Sequence, residues 1–323
     1  MIYGINVTEG MLLSDAQLDK AFKDIAELGF THVRVELIWQ VVEKVKRKYD
    51  WKDADRVRNA AYRAGLKILW VVGVHEPKWG WFGLVDQTTV YDFGPFCAAI
   101  ADKYGRDTTV HGFEIWNEPN SAGFFGKKNF LGQKQILDPK GYVAYLQEAY
   151  DEFAGLKPVT LGGIMACPSN PWVDNADSPE DWYKSLKANG MKQPFNFIGY
   201  HPYSYKWDEG PQSGPFLAPG TGVRYLNSIL TLSEFDRPAW GDPIPVDGTE
   251  WGFDWSKPEC VANAHGWLTD QWDLFDRLGQ VKVMNSHYLY SYQDYAGFTY
   301  GLYDAKGIQR IPVYNTIKNL LAN

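Results

Sequence analysis

Two spacings of apolar residues alternate along this chain. Runs such as "THVRVELIW" and "LKILWVVGV" are apolar at successive or alternate positions, and the segments between them repeat apolar residues every three or four positions. The first kind reads as strand, the second as amphipathic helix. "SDAQLDKAFKDIAELG" is the clearest helix. Ser14 and Gln17 have the spacing of a capping box, Leu18, Phe22, Ile25 and Leu28 form one stripe, and Gly29 supplies the stop. The two kinds keep alternating: strand "MIYGIN", that helix, strand "THVRVELIW", helix "WKDADRVRNAAYRAG", strand "LKILWVVGV", helix "VYDFGPFCAAIADKYG", strand "VHGFEIW". The second half continues with strands "PVTLGGIM", "FNFIGYHPY", "PIPVDGTEW" and "VKVMNSHYLY" among further helices.

Eight strands alternating with eight helices argue for a parallel sheet with its helices outside. A closed (β/α)8 TIM barrel, a single α/β domain over residues 1–323, suits eight such units. A doubly wound sheet would place a GxGxxG turn after the first strand, and "GINVTEG" is not that turn. In such barrels the active site lies where the strands end at their C-terminal side. Trp39 then ends strand two, His75 and Glu76 strand three, Asn117 and Glu118 strand four, His201 and Tyr203 strand six, and Glu250 and Trp251 strand seven, and of these Trp39, His75 and Trp251 are expected to contact the substrate.

Composition narrows the partner. The chain carries 14 Trp, 20 Tyr and 17 Phe, many of them in Gly- and Pro-rich stretches where flat rings suit stacking on sugars or bases. Its 32 basic and 39 acidic residues give a net charge of -7, whereas a nucleic-acid binder presents a basic surface, so carbohydrate is the expected substrate and no nucleic acid is expected. No apolar run approaches the roughly 20 residues that span a bilayer, so no membrane insertion is expected, and the expected state is a monomer. The opening "MIYGIN" reads as a strand rather than a signal peptide, which fits a cytoplasmic enzyme, a bacteriophage-encoded one or a catalytic domain excised from a longer chain. Cys97, Cys167 and Cys260 are widely spaced and odd in number, the pattern of buried free thiols; no cofactor or metal is expected, because no ligand cluster of recognisable spacing is present.

The segment "FEIWNEPN" poses the chemical question. Glutamate is a poor strand former and is expensive to bury without partners, yet Glu118 closes an apolar strand. The fold brings it to face Glu250. Two carboxylic acids across an aromatic-rich cleft are what glycosidic bond cleavage needs, one to protonate the leaving oxygen and the other to attack the anomeric carbon or activate water. Asn117 is placed to hold a sugar hydroxyl, and His201 and Tyr203 to orient or tune the facing carboxylate.

With "FEIWNEPN" on strand four and "GTEWGF" on strand seven, the sequence resembles the retaining glycoside hydrolases of clan A, and within it the cellulase-like and beta-xylosidase-like families. The resemblance implies Glu118 as general acid/base, Glu250 as nucleophile and Asn117 as a contact to the sugar beside the scissile bond. Arg34 in "HVRVELIW" looks like the clan's strand-two arginine, and "HPYSY" like its strand-six His-x-Tyr, giving His201 and Tyr203. The strand-eight end "HYLYSYQD" lacks the tryptophan that many relatives use as a floor for the sugar, leaving Tyr290 or Tyr292 as its replacement.

Each residue also has a plainer reading. Asp247 and Asp254 compete with Glu250 but lie outside the Thr-Glu-Trp pattern. Arg34 fits a structural ion pair with Glu36 or Glu114 as well as a site role, and Glu36, Glu76 and Glu114 read as structural or peripheral. Trp79, Trp81, Phe124, Phe125, Trp172 and Trp207 occupy loops of the same face and suit either sugar stacking or packing of their own loops. Two other functions are weighed against hydrolysis. A binding barrel that has lost turnover would lack one glutamate, and both are present. A metal-dependent hydrolase on this fold calls for His-x-His after strand one, which "YGINVTEG" does not offer.

Overall fold

The computed structural model describes residues 1–75, 87–128, 135–167, 176–202, 221–236, 243–253, 255, 258–289, 291–293, 301–304 and 306–322. Eight parallel strands close into a barrel: β1 (Ile2–Asn6), β2 (His32–Leu37), β3 (Lys67–Val72), β4 (Val110–Asn117), β5 (Val159–Met165), β6 (Phe197–His201), β7 (Val246–Trp251) and β8 (Met284–Leu289). Each strand pairs with its successor, and β8 returns to β1 with Tyr3 opposite His287. The (β/α)8 architecture expected from the alternating pattern is the one observed. The sequential helices are α1 (Asp15–Leu28), α2 (Lys52–Ala64), α3 (Gln87–Tyr104), α4 (Pro139–Phe153), α5 (Pro179–Ala188), α6 (Thr221–Glu234), α7 (Pro258–Gln280) and α8 (Ile311–Ala322).

Local chemistry explains why the helices start and stop where they do. At the head of α1 the Ser14 hydroxyl accepts from the Gln17 backbone N–H, and the Gln17 side chain accepts in return from the Ser14 N–H at 2.9 Å. Gly29 ends the helix at φ 105°, a left-handed conformation that a Cβ would strain. Between these ends Leu18, Phe22, Ile25 and Leu28 are all buried against the barrel wall. Cys97, Cys167 and Cys260 are buried free thiols.

Three short features escape the sequence pattern. A one-turn helix, Trp39–Val42, follows β2 directly; a two-stranded hairpin, Gly126–Lys128 with Gln135–Leu137, follows β4; and Ser291–Gln293 pairs with Gly301–Tyr303 beyond β8. Among the described residues, no helix is long and apolar enough to cross a membrane.

Candidate active site

Arg34 organises the C-terminal mouth of the barrel. It is 2% exposed, and each of its five N–H donors has a partner. Nε donates to Glu114 Oε2 at 2.6 Å and Nη2 to Glu114 Oε1 at 2.9 Å, a bidentate pair. Nη1 donates to Asn6 Oδ1 at 3.0 Å and to Glu250 Oε1 at 2.6 Å, and Nη2 also to Asn117 Oδ1 at 2.8 Å. Burial opposes the Arg34 charge, but Glu114 and Glu250 outweigh it and hold the guanidinium above its ordinary value.

Glu118 reaches the same space by an unusual backbone. Trp116 and Glu118 both take positive φ, 74° and 46°, so the pleat of β4 breaks at its end and Asn117 and Glu118 both turn toward the cleft. Such conformations cost of order 1–3 kcal/mol each and gather at functional sites. On β7 a bulge does similar work. The step from Gly248 to Trp251 faces the shorter step from His287 to Leu289 on β8, and the extra residue lets Thr249 and Glu250 both face inward.

Between the two glutamates lies His201. Its Nδ1 is 2.9 Å from Glu118 Oε1 and 3.4 Å from Glu250 Oε2, and atoms of the three side chains lie within 4.8 Å of one another. Gly163 makes room for the imidazole, since a Cβ there would run into the ring. Burial pushes His201 down to about 4, so the ring is neutral at pH 7. Burial also pushes Glu118 up to about 7 against the pull of Arg34. It raises Glu250 as well, opposed by His201 and then by the guanidinium in direct contact.

The structure therefore gathers Arg34, Asn117, Glu118, His201 and Glu250 at one place. His75 stands at the end of β3 with φ 55°, half exposed, its Nε2 3.2 Å from Glu36 Oε2. The two tryptophans named as sugar contacts lie elsewhere. Trp39 is fully buried, stacked on Phe96 at 4.9 Å with its N–H donating to Glu43 at 2.6 Å. Trp251 is 1% exposed and meets Phe275 of α7 edge-on at 5.3 Å. Both turn outward into the helix layer, Trp39 against Phe96 of α3 and Trp251 against Phe275 of α7. Of the loop rings, Phe124 is exposed and Phe125 buried. Tyr203, Tyr290, Glu76, Asp254, Trp79, Trp81, Trp172 and Trp207 lie outside the described residues, as does the side chain of Tyr292. Asp247 sits deeper in the barrel, bonded by Thr160, Asn285 and Ser286 at 3.0, 2.7 and 2.7 Å.

Sequence reasoning missed Asn6, Gly163 and Thr249; it read Glu114 as structural or peripheral and offered it, with Glu36, as an ion-pair partner of Arg34, and the pair with Glu114 is the one that forms. Glu114 is the heart of the network, its Oε1 also accepting from the Gly163 N–H at 2.8 Å and from Thr249 Oγ1 at 3.2 Å. The readable signal was an acid on the apolar strand β4 with Arg34 as its candidate cation on β2.

Residues 3–139 match the family model for Cellulase (glycosyl hydrolase family 5). No curated protein matches the chain. Among solved structures the fold is similar to a family 39 glycoside hydrolase from Bacteroides cellulosilyticus, with TM-score 0.70 and 18% identity over 99% of this chain and 63% of that one. It is similar too to GH5_18 from Bifidobacterium longum subsp. longum in complex with Manb1-4GlcNAc, with TM-score 0.69 and 16% identity over 100% of this chain and 78% of that one. A third is the endo-1,4-beta-mannanase from Rhizomucor miehei, with TM-score 0.66 and 14% identity over 99% and 94%. This chain thus spans 63% of the length of the Bacteroides protein. The likeness to cellulase-like glycoside hydrolases of clan A, read first from two short motifs, is borne out over residues 3–139 by sequence and around the barrel by fold.

Proposed function

We propose that this chain is a retaining glycoside hydrolase that cleaves an oligo- or polysaccharide by double displacement, with residues 1–323 acting as one catalytic domain and as a monomer. The observation that carries this reading is the closeness of Glu118 and Glu250, whose carboxylates approach within 4.8 Å around His201. Retaining enzymes hold their carboxyl groups about 5 to 5.5 Å apart, and inverting enzymes leave about 6.5 to 9.5 Å for a water.

The two environments suit two roles. Glu250 is bonded to Arg34 at 2.6 Å, which favours its anion, the form that attacks the anomeric carbon. Glu118 has no such bond to the guanidinium among its described contacts and, pushed up to about 7, keeps a proton to give. As Glu250 forms the ester to the sugar and the glycosidic bond breaks, that proton passes to the leaving oxygen. Glu118, now a carboxylate, takes a proton from water; the water oxygen attacks the anomeric carbon and Glu250 leaves. Asn117, its oxygen fixed by Arg34, turns its amide N–H groups to a sugar hydroxyl. His201 holds both carboxylates in place.

We read the glutamate–histidine cluster as acid–base machinery rather than a metal centre, because Arg34 already supplies the positive charge at Glu250. Activity should survive chelator treatment; loss that a divalent ion restores would overturn this. The substrate panel should begin with β-1,4-linked mannosides, since two of the similar structures concern such linkages by name, and extend to β-glucans and xylans. Anomeric analysis of the first product is the test of mechanism. Retention supports the reading, and inversion defeats it.

A further inference from the structure

Arg34 presents a conflict to any two-carboxylate mechanism. Its charge favours the Glu250 anion that a nucleophile needs, and the same charge works against the proton that Glu118 must keep as an acid. The guanidinium does not belong to Glu250 alone, however. Two of its N–H donors go to the two oxygens of Glu114, and one goes to Glu250.

Resting on the function proposed above, we propose that Glu114 is a positioning residue whose carboxylate takes up the larger share of the Arg34 charge, so that the remainder ionises Glu250 without stripping the proton from Glu118. Glu114 is suited to this because it cannot move or be solvated. It is fully buried, and besides Arg34 it is gripped by the Gly163 N–H and the Thr249 hydroxyl. Charge counting gives the consequence. With Glu118 protonated and His201 neutral, Arg34, Glu114 and Glu250 sum to one negative charge. After the first step Glu250 is a neutral ester, Glu118 is ionised, and the sum is unchanged. Without the Glu114 charge the cluster is neutral in both states, and Glu118 gives up its proton to solvent more readily. Among the described residues, the other titratable groups that act on this cluster are Glu36 on β2, His201 on β6, Asp247 on β7, Tyr288 on β8 and Tyr142 on α4.

The test compares Glu114→Gln, which keeps the shape and drops the charge, with Glu114→Asp, which keeps the charge and shortens the reach. Each is checked for folding by thermal unfolding. The pH dependence of kcat/KM is then measured on a substrate that the wild type turns over, and Glu118 is titrated by carbon NMR, assigned by difference against Glu118→Gln. We expect Glu114→Gln to move the alkaline limb and the NMR titration of Glu118 together to lower pH, by roughly one unit. Glu114→Asp should keep both near the wild-type position at a reduced rate. The opposite order, with Gln like the wild type and Asp displaced, marks a role of shape alone and overturns the proposal. Should Glu114→Gln fail to fold, the Asp variant decides alone, a displaced limb counting against charge sharing. The NMR measurement needs no turnover, so a protein that cleaves no sugar defeats the functional reading and still tests this one.

Discussion

Glu118 and Glu250 are the same residue type in the same cavity, but the Arg34 guanidinium bonds Glu250, while Glu118 is the nearer of the two to His201. That asymmetry predicts different variants. Glu118→Ala should keep a fast first step on an aryl glycoside whose phenol needs no proton, then stall, and azide should restore turnover by attacking the ester. Glu250→Ala should lose the first step for every leaving group, and a mechanism-based fluorosugar should label Glu250; a label on Glu118 would reverse the assignment. On unactivated sugar, Glu118→Gln should cost about 100-fold or more, and the alkaline limb of the wild-type profile should fall near the value of about 7 to which burial raises Glu118. The buried tryptophans should respond in the opposite way to cleft residues. Trp39→Ala and Trp251→Ala should destabilise the fold by about 3–5 kcal/mol in denaturant unfolding, with KM near normal in whatever protein remains folded.

Elements of regular period were legible in the sequence because their packing is repetitive. The α1 stripe and its two caps are complete in the residues themselves, and Ser14→Ala should cost about 1 kcal/mol in thermal unfolding. Where the period breaks, legibility fails. Trp39 follows a strand and Trp251 closes one, and both invite a reading as sugar platforms, yet one begins an unforeseen helical turn and the other comes just after a bulge that has already used the inward positions. Glu114 was legible as a partner of Arg34, 80 residues away in sequence, but its place at the centre of the network was not, because the Gly163 N–H and the Thr249 hydroxyl that also hold it come from strands whose sequences do not show which way they face. Gly163 carried no signal at all. Its missing side chain is the space His201 occupies, so Gly163→Ala should leave the barrel folded by circular dichroism and lower kcat/KM at least about tenfold by displacing the ring.

For the molecule as a whole, the buried acids make stability depend on pH. Burial raises Asp247 from 3.8 to about 6 and Glu118 from 4.5 to about 7. Both therefore hold protons more tightly folded than unfolded, and the stability they contribute, fully present below their unfolded values, is lost as pH rises through the folded ones. The buried histidines His32, His201 and His287, whose values burial lowers, contribute the opposite slope, so the effect is read by difference: between about pH 4 and pH 7 the melting temperature of Asp247→Asn and of Glu118→Gln should each rise more, or fall less, than that of the wild type, and a slope unchanged in both would remove these groups as contributors.

The five-way grip of Arg34 also has a consequence for how the protein comes into being. It joins Asn6, Glu114 and Asn117 to Glu250, 216 positions from Arg34, while the Asn6 amide reaches across to Leu289. During synthesis the arginine must wait for a further 216 residues before Glu250 exists, a delay that slows folding and exposes an unfinished sheet edge. A ribosome-stalled or protease-clipped product ending before β7 would hold the motif around Glu118 and no Glu250. The recovery of activity on refolding should therefore follow closure of the barrel and never precede it.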